Sequence, residues 1–161
     1  ARPVDRVIDP ERFEWRVLNR LLGYFSMGLE VSSLPAFQME TLKKANAFYK
    51  RIRRCTHGDR YVLAGPQVLF EPYYWEADNW EVYQQMARQK DLCAVYFYRC
   101  LSPQAEFTAQ LRGLDPHAHY HAEFYSGQAE RDYTGAELME TGFTCRLERP
   151  KSADIMLLTR R

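Results

Sequence analysis

Hydrophobic positions recur with two different periods along this chain, and the change falls near Asp59. Before it, the steps are three and four residues. Asp9-Pro10 is a helix start, because an Asp side chain can accept from free first-turn amides and Pro suits the first helical position. Phe13, Val17, Leu21, Leu22 and Phe25 then form one apolar face, with Gly23 close to the expected end. Pro35 opens a second helix with Leu42, Ala45, Tyr49 and Ile52 as its apolar stripe. Lys43, Lys44, Lys50, Arg51, Arg53 and Arg54 occupy its other side, and Gly58 is the expected stop. Between the helices, Gly28 to Ser33 is short and rich in small residues, and reads as a strand end opening into a loop. Helix, short strand, helix cannot bury its own apolar faces. On its own, this segment is expected to expose them, and either to self-associate through residues 10–55 or to rearrange there.

After Asp59 the period becomes two. Trp80, Val82 and Met86 share a face. Phe107, Ala109 and Leu111 alternate with polar residues, as do Tyr120, Ala122 and Phe124, and Phe143, Cys145 and Leu147. Such alternation means one buried and one wet face, as in antiparallel sheets. Leu92 to Leu101 and Ile155 to Leu158 are apolar with little alternation and are expected to be central. Turn residues punctuate the runs at Gly65-Pro66, Ala77-Asp78-Asn79, Ser102-Pro103, Gly113 to Pro116, Ser126-Gly127 and Arg149-Pro150. Seven or eight strands in an antiparallel β-sandwich are expected, so the chain is mainly β.

Composition changes this picture little. Aromatic residues make up 14% of the 161, which leans towards sheet. The net charge of +1 gives no argument for a polyanionic partner over a neutral one, and nucleic acid is not expected. No apolar run approaches the ~20 residues that span a bilayer, so neither is a membrane. Cys55, Cys93, Cys100 and Cys145 fit neither a zinc motif nor a dense disulfide framework. They read as buried free thiols, which favours a reducing, cytoplasmic location.

Several constellations invite a chemical reading. His117, His119 and His121 are spaced by two, which could align three imidazoles on one strand face. No carboxylate or carbonyl partner is legible around them, and a solvated strand face without bound metal is expected. Ser32 and Ser33 lack the Gly-x-Ser-x-Gly elbow of a nucleophilic serine. The basic run from Lys43 to Arg54 has no aromatic platform beside it and reads as a solvated helix face. Tyr61, Tyr73, Tyr74, Trp75 and Trp80 cluster in one region. Exposed, they could stack on sugar rings; buried, they are core and rim of the sandwich.

Two stretches carry a resemblance. One is Ser26-Met27-Gly28-Leu29-Glu30-Val31-Ser32-Ser33-Leu34-Pro35. The other is Leu111-Arg112-Gly113-Leu114-Asp115-Pro116, followed by Tyr133-Thr134-Gly135-Ala136-Glu137-Leu138-Met139 and Gly142. In order and spacing they resemble the C-terminal part of bacterial α-galactosidases, retaining glycoside hydrolases with a (β/α)8 barrel followed by a β-sandwich. The resemblance implies that residues 1–58 are the tail of the catalytic barrel, with its last helices and last strand, and that 59–161 are the C-terminal sandwich. It implies hydrolysis of terminal α-galactosides with retention, acting on galactoside-containing oligosaccharides without cofactor or metal, in a homo-oligomer. The family's two catalytic Asp residues would lie before Ala1, so this fragment supplies none. Leu29-Glu30 stands where the family has Ala-His, and Ala36-Phe37-Gln38 where it has Asn-His-Gln. Glu30, at a strand end that would face the barrel mouth, is the one candidate substrate-binding residue. The alternative is a non-catalytic carbohydrate-binding or structural β-sandwich module, marked by an exposed aromatic platform.

Overall fold

In the computed structural model the described residues are 9–23, 25–26, 31–65 and 78–161. Helix α1 spans Pro10–Arg20, and the Asp9 carboxylate accepts from the Glu11 amide at 3.0 Å, as its sequence requires. Helix α2 spans Ala36–Ile52 and runs on into a 3₁₀ turn, Arg53–His57. Of the short strand expected between them, residues 27–30 lie outside the described residues, and Val31–Ser33 form a 3₁₀ turn.

Among the described residues eight strands follow: β1 (Asp59–Ala64), β2 (Trp80–Met86), β3 (Leu92–Arg99), β4 (Glu106–Ala109), β5 (His119–Phe124), β6 (Arg131–Thr134), β7 (Phe143–Arg146) and β8 (Ser152–Arg160). Six form one antiparallel sheet in the order β1-β2-β3-β8-β5-β6, with Val82 opposite Phe97, Val95 opposite Met156 and Leu158 opposite Ala122. The other two, β4 and β7, pair over one face of that sheet. The fold is therefore mainly antiparallel β, with layers of unequal size. The near-continuous apolar runs do occupy central strands, β3 and β8. A third helix, α3 (Gly135–Glu140), follows β6 within the Tyr133–Met139 motif. It is nucleated by a reciprocal cap: the Thr134 hydroxyl accepts from the Glu137 amide at 3.2 Å, and the Thr134 amide donates to the Glu137 carboxylate at 2.7 Å.

Successive side chains of a strand point to opposite faces, so the central strands need cover on both. Val95, Phe97, Met156, Leu158, Tyr120 and Ala122 pack with Ala109, Leu111, Leu138, Phe143 and Cys145 from β4, β7, α3 and their connections. Ala94, Tyr96, Tyr98, Ile155 and Leu157 face the other way, onto Phe13, Val17, Leu18, Leu21, Leu42, Ala45, Phe48 and Ile52 of the helical segment. Here the structure corrects the expectation of an exposed helical face. The apolar stripes of α1 and α2 are the cover of the sheet, and among the described residues the only large hydrophobic side chain left exposed is Val62. Polar bonds tie the layers as well: the Tyr98 hydroxyl donates to the Leu18 carbonyl at 3.1 Å, and the Gln85 amide to the Leu22 carbonyl at 2.9 Å.

Leu18 and Leu138 are equivalent probes of the two layers, at 2% and 0% exposure. Each Leu→Ala substitution is expected to cost about 2–5 kcal/mol, with a single cooperative denaturant transition in both. A separate early transition confined to Leu18→Ala would show the helices to be an independent layer.

Candidate functional site

Among the described residues, the sequence-selected side chains do not converge. Glu30 lies outside the described residues, as do Tyr73, Tyr74 and Trp75. Ser32 and Ser33 are exposed on the 3₁₀ turn. The indole of Trp80 is buried, stacks on Phe107 at 5.9 Å and donates to the Gln104 carbonyl at 3.0 Å. It is therefore core and no platform for a sugar. His117 sits in a turn, its amide donating to Asp115 Oδ1 at 3.0 Å, while His119 and His121 project from β5 between the buried Tyr120 and Ala122. Among the described residues no group of three His, Cys, Asp or Glu side chains is placed to hold a metal ion.

The basic side of α2 is occupied by intramolecular partners. Lys44 lies 3.7 Å from Glu14 and 4.0 Å from the Tyr125 ring centre, Arg54 pairs with Asp91 at 3.1 Å, and Arg51 pairs with Glu123. These contacts lay the helix along the sheet. All four cysteines are free and buried, and burial pushes the Cys55 thiol up to about 11 and Cys100 up to about 12. Thiols held so far above neutrality are poor nucleophiles.

Among the described residues two carboxylates are buried. Burial raises Glu81, against the opposing pull of hydrogen bonds from the Tyr83 hydroxyl at 3.0 Å and the Cys100 thiol. Burial also raises Asp154, although it accepts from the Ser126 amide and hydroxyl, the Ile155 amide and the Gln128 side chain at 2.6–3.0 Å. Each is enclosed by donors from its own surroundings, which is how a fold tolerates a buried acid.

The described cavity is a groove of about 550 Å³ between β1, β4 and the end of α3, lined among others by Leu63, Phe107, Thr108, Gln110, Arg112 and Met139. Its size suits a small ligand. Among the described residues its lining contains hydroxyls, an amide and a guanidinium, and no Asp, Glu, His, Cys or Lys. It can hold a polar molecule. Among the described residues that line it, none could act as the acid or the nucleophile of glycoside cleavage.

Beside the groove the second motif pair becomes intelligible. The side chain of Gln84, fully buried on β2, takes both backbone groups of Arg112: its amide donates to the Arg112 carbonyl at 2.7 Å, and its carbonyl accepts from the Arg112 amide at 2.9 Å. Gly113 follows with φ +68°, a conformation L side chains rarely adopt, directly under the Tyr61 hydroxyl. Asp115 then accepts from the His117 amide and pairs with Arg160 at 2.6 Å. The stretch Tyr133–Met139 meets this turn backbone to backbone, with the Gly135 amide donating to Ala118 and the Ala136 amide to Pro116. A β-carbon on Gly135 would lie 1.9 Å from the Asp115 carbonyl oxygen. The two motifs are halves of one junction, and their residue types serve close approach and hydrogen bonding. The Thr134-x-x-Glu137 spacing was the legible cue for α3, and Gln84, which sequence reasoning passed over, is the residue that positions Arg112.

Residues 80–158 match the family model described as the glycosyl hydrolase family 36 C-terminal domain. No curated protein matches the chain. Among solved structures it is similar to the α-galactosidase AgaB of Geobacillus stearothermophilus, at 23% identity and TM-score 0.72, over 99% of this chain and 20% of that one. It is similar to the α-galactosidase of Lactobacillus brevis, at 18% identity and TM-score 0.73, over 100% and 22% of the two chains. A variant of Geobacillus stearothermophilus AgaA, solved in complex with stachyose, matches at 23% identity and TM-score 0.73 over 100% and 21%. The chain thus spans about a fifth of the length of these structures.

Gly135→Ala is expected to destabilise the protein by about 3 kcal/mol, since two backbones must separate. Gln84→Leu, which strips partners from two buried backbone groups, should cost about 1–3 kcal/mol. Gly23→Ala, whose β-carbon meets nothing within 4 Å, should stay within about 0.5 kcal/mol of the parent sequence. Urea denaturation of the three variants checks the order.

Proposed function

We propose that this chain, which carries a glycosyl hydrolase family 36 C-terminal domain over residues 80–158, is the C-terminal portion of an α-galactosidase-like enzyme that cleaves terminal α-galactosides with retention. The observation that carries the reading is the family match, which spans both halves of the Arg112–Gly135 junction. Matches to α-galactosidases over essentially the whole chain support it, as does the stachyose seen in one of those enzymes.

In this reading residues 1–58 are the tail of the barrel and 59–161 the C-terminal β-sandwich. Retaining hydrolysis needs two carboxyl groups about 5–5.5 Å apart, one attacking the anomeric carbon and one protonating the leaving oxygen. These belong to the parent barrel. The present chain contributes a rigid support, its sheet buried on both faces, and Glu30 contacts the sugar or a residue that does. The parent acts on galactoside-containing oligosaccharides, without cofactor or metal, as a homo-oligomer in the cytoplasm. No helix among the described residues is long and apolar enough to cross a membrane.

The second reading, a sugar-binding or structural module without catalysis, draws on the groove beside Arg112. The two separate in one assay with an aryl α-galactoside. The 161-residue chain is expected to show no turnover above background, and the same segment joined to a barrel bearing two strand-end carboxylates to be active, with Glu30→Gln raising KM there. Robust turnover by the short chain, abolished by Glu30→Gln, would make Glu30 catalytic and end the support reading. Saturable binding of galactose by the short chain, lost in Arg112→Ala, would favour the module.

A further inference from the structure

We propose that His121 is a proton-operated clasp on the outer edge of the six-stranded sheet: its doubly protonated ring holds Glu130 and Asp132 together, and loss of one proton frees Glu130 and opens residues 129–131.

The geometry fixes the charge of the ring. His121 Nδ1 lies 2.7 Å from Asp132 Oδ1, and Nε2 lies 3.0 Å from Glu130 Oε2. An ionised carboxylate only accepts, and a neutral imidazole has one N–H and one lone pair. A carboxylate at each nitrogen therefore requires both N–H groups, that is, imidazolium. The ring is shielded, with 19% of its side chain exposed, whereas Glu130 and Asp132 are 60% and 53% exposed.

The stretch the clasp controls is bounded on both sides. Upstream, Ser126 and Gln128 are tied to the buried Asp154. Downstream, Asp132 is in β6 and takes a second cation, Arg161, at 3.1 Å. Residues 127–130 have no regular structure, and residues 126–132 are exposed. Among the described residues β6 is the edge of the sheet and pairs on one side only, with β5. Between the two anchors, side chains add the bond to Glu130 and the Arg131 guanidinium 5.1 Å from the Tyr133 ring centre.

The other charges facing the ring agree with this assignment. On its own strand, His119 lies two residues before it, and Glu123 two residues after it is paired with Arg51 of α2. From β8 the register partner is Thr159, which carries no charge. From the C-terminus Arg161 opposes protonation, and it is outweighed: the hydrogen bond to Asp132, followed by the one to Glu130, holds the ring above its ordinary value of 6.5. The folded value is thus raised. The clasp's contribution is complete below the ring's ordinary value and is lost as pH rises through the folded one. Asp132 makes the shorter bond and is also held by Arg161, so Nδ1 keeps its proton. The proton leaves Nε2 for solvent, and a lone pair then faces the Glu130 carboxylate.

Ring nitrogen NMR and amide exchange test the proposal in the intact chain. His121 is expected to titrate above 6.5 and to become the Nδ1–H tautomer. Exchange protection of residues 129–132, corrected for intrinsic rate, should fall roughly two- to five-fold across the same titration, the scale of an exposed ion pair. Glu130→Gln should lower the titration midpoint and flatten that response, as should His121→Gln, with the rest of the sheet unchanged. A midpoint at or below 6.5, retention of the Nε2 proton, or pH-independent protection of 129–132 in the unsubstituted protein would each overturn the clasp.

Discussion

The constraint on which this structure turns is that β3 and β8 are apolar on both faces. Neighbouring residues such as Ala94 and Val95, or Ile155 and Met156, point to opposite sides and are buried on both. A two-sided strand cannot rest on water, so each face needs its own layer. One is supplied from within the strand-rich segment, by β4, β7 and α3. The other comes from the helices that precede it. This is why the helical segment is bound into the same packed unit even though its element order suggests part of something else.

The family motifs make sense in the same terms. The turn Leu111–Pro116 and the stretch Tyr133–Met139 carry no groups set for catalysis, and yet they are the most recognisable part of the chain. Their glycines stand where backbones nearly touch, their Asp and Thr where amides need acceptors, and buried Gln84 reads the backbone of Arg112 as a complementary peptide would. Recognition at such positions records how the chain packs.

Much of the fold was legible. Asp9-Pro10 announced α1, and alternation at Phe107–Leu111 and Phe143–Leu147 gave strands and their inward faces, because both periods are properties of the backbone. What covers an apolar stripe is not such a property, so the docking of α1 and α2 on the sheet could not be read. Nor could α3, since six residues are too short to display a helical period. Gln84 interrupts an apolar face and reads as an irregularity, because its partners lie 28 residues away in the chain. His121 shows the limit for the candidate site. Spacing placed it on a strand face, but its carboxylates sit nine and eleven residues on, brought back by the β5–β6 turn.

The buried thiols have a practical consequence. Cys93 sits under the strand-and-helix layer, Cys55 under the α1–α2 layer, and Cys145 within the two-stranded ribbon. With no disulfide among them and each thiol pushed away from its reactive form, the chain carries its own set of silent reporters. A thiol-directed dye would find each of them only when its particular layer lifts, so the order in which they are modified would trace the order in which the molecule comes apart.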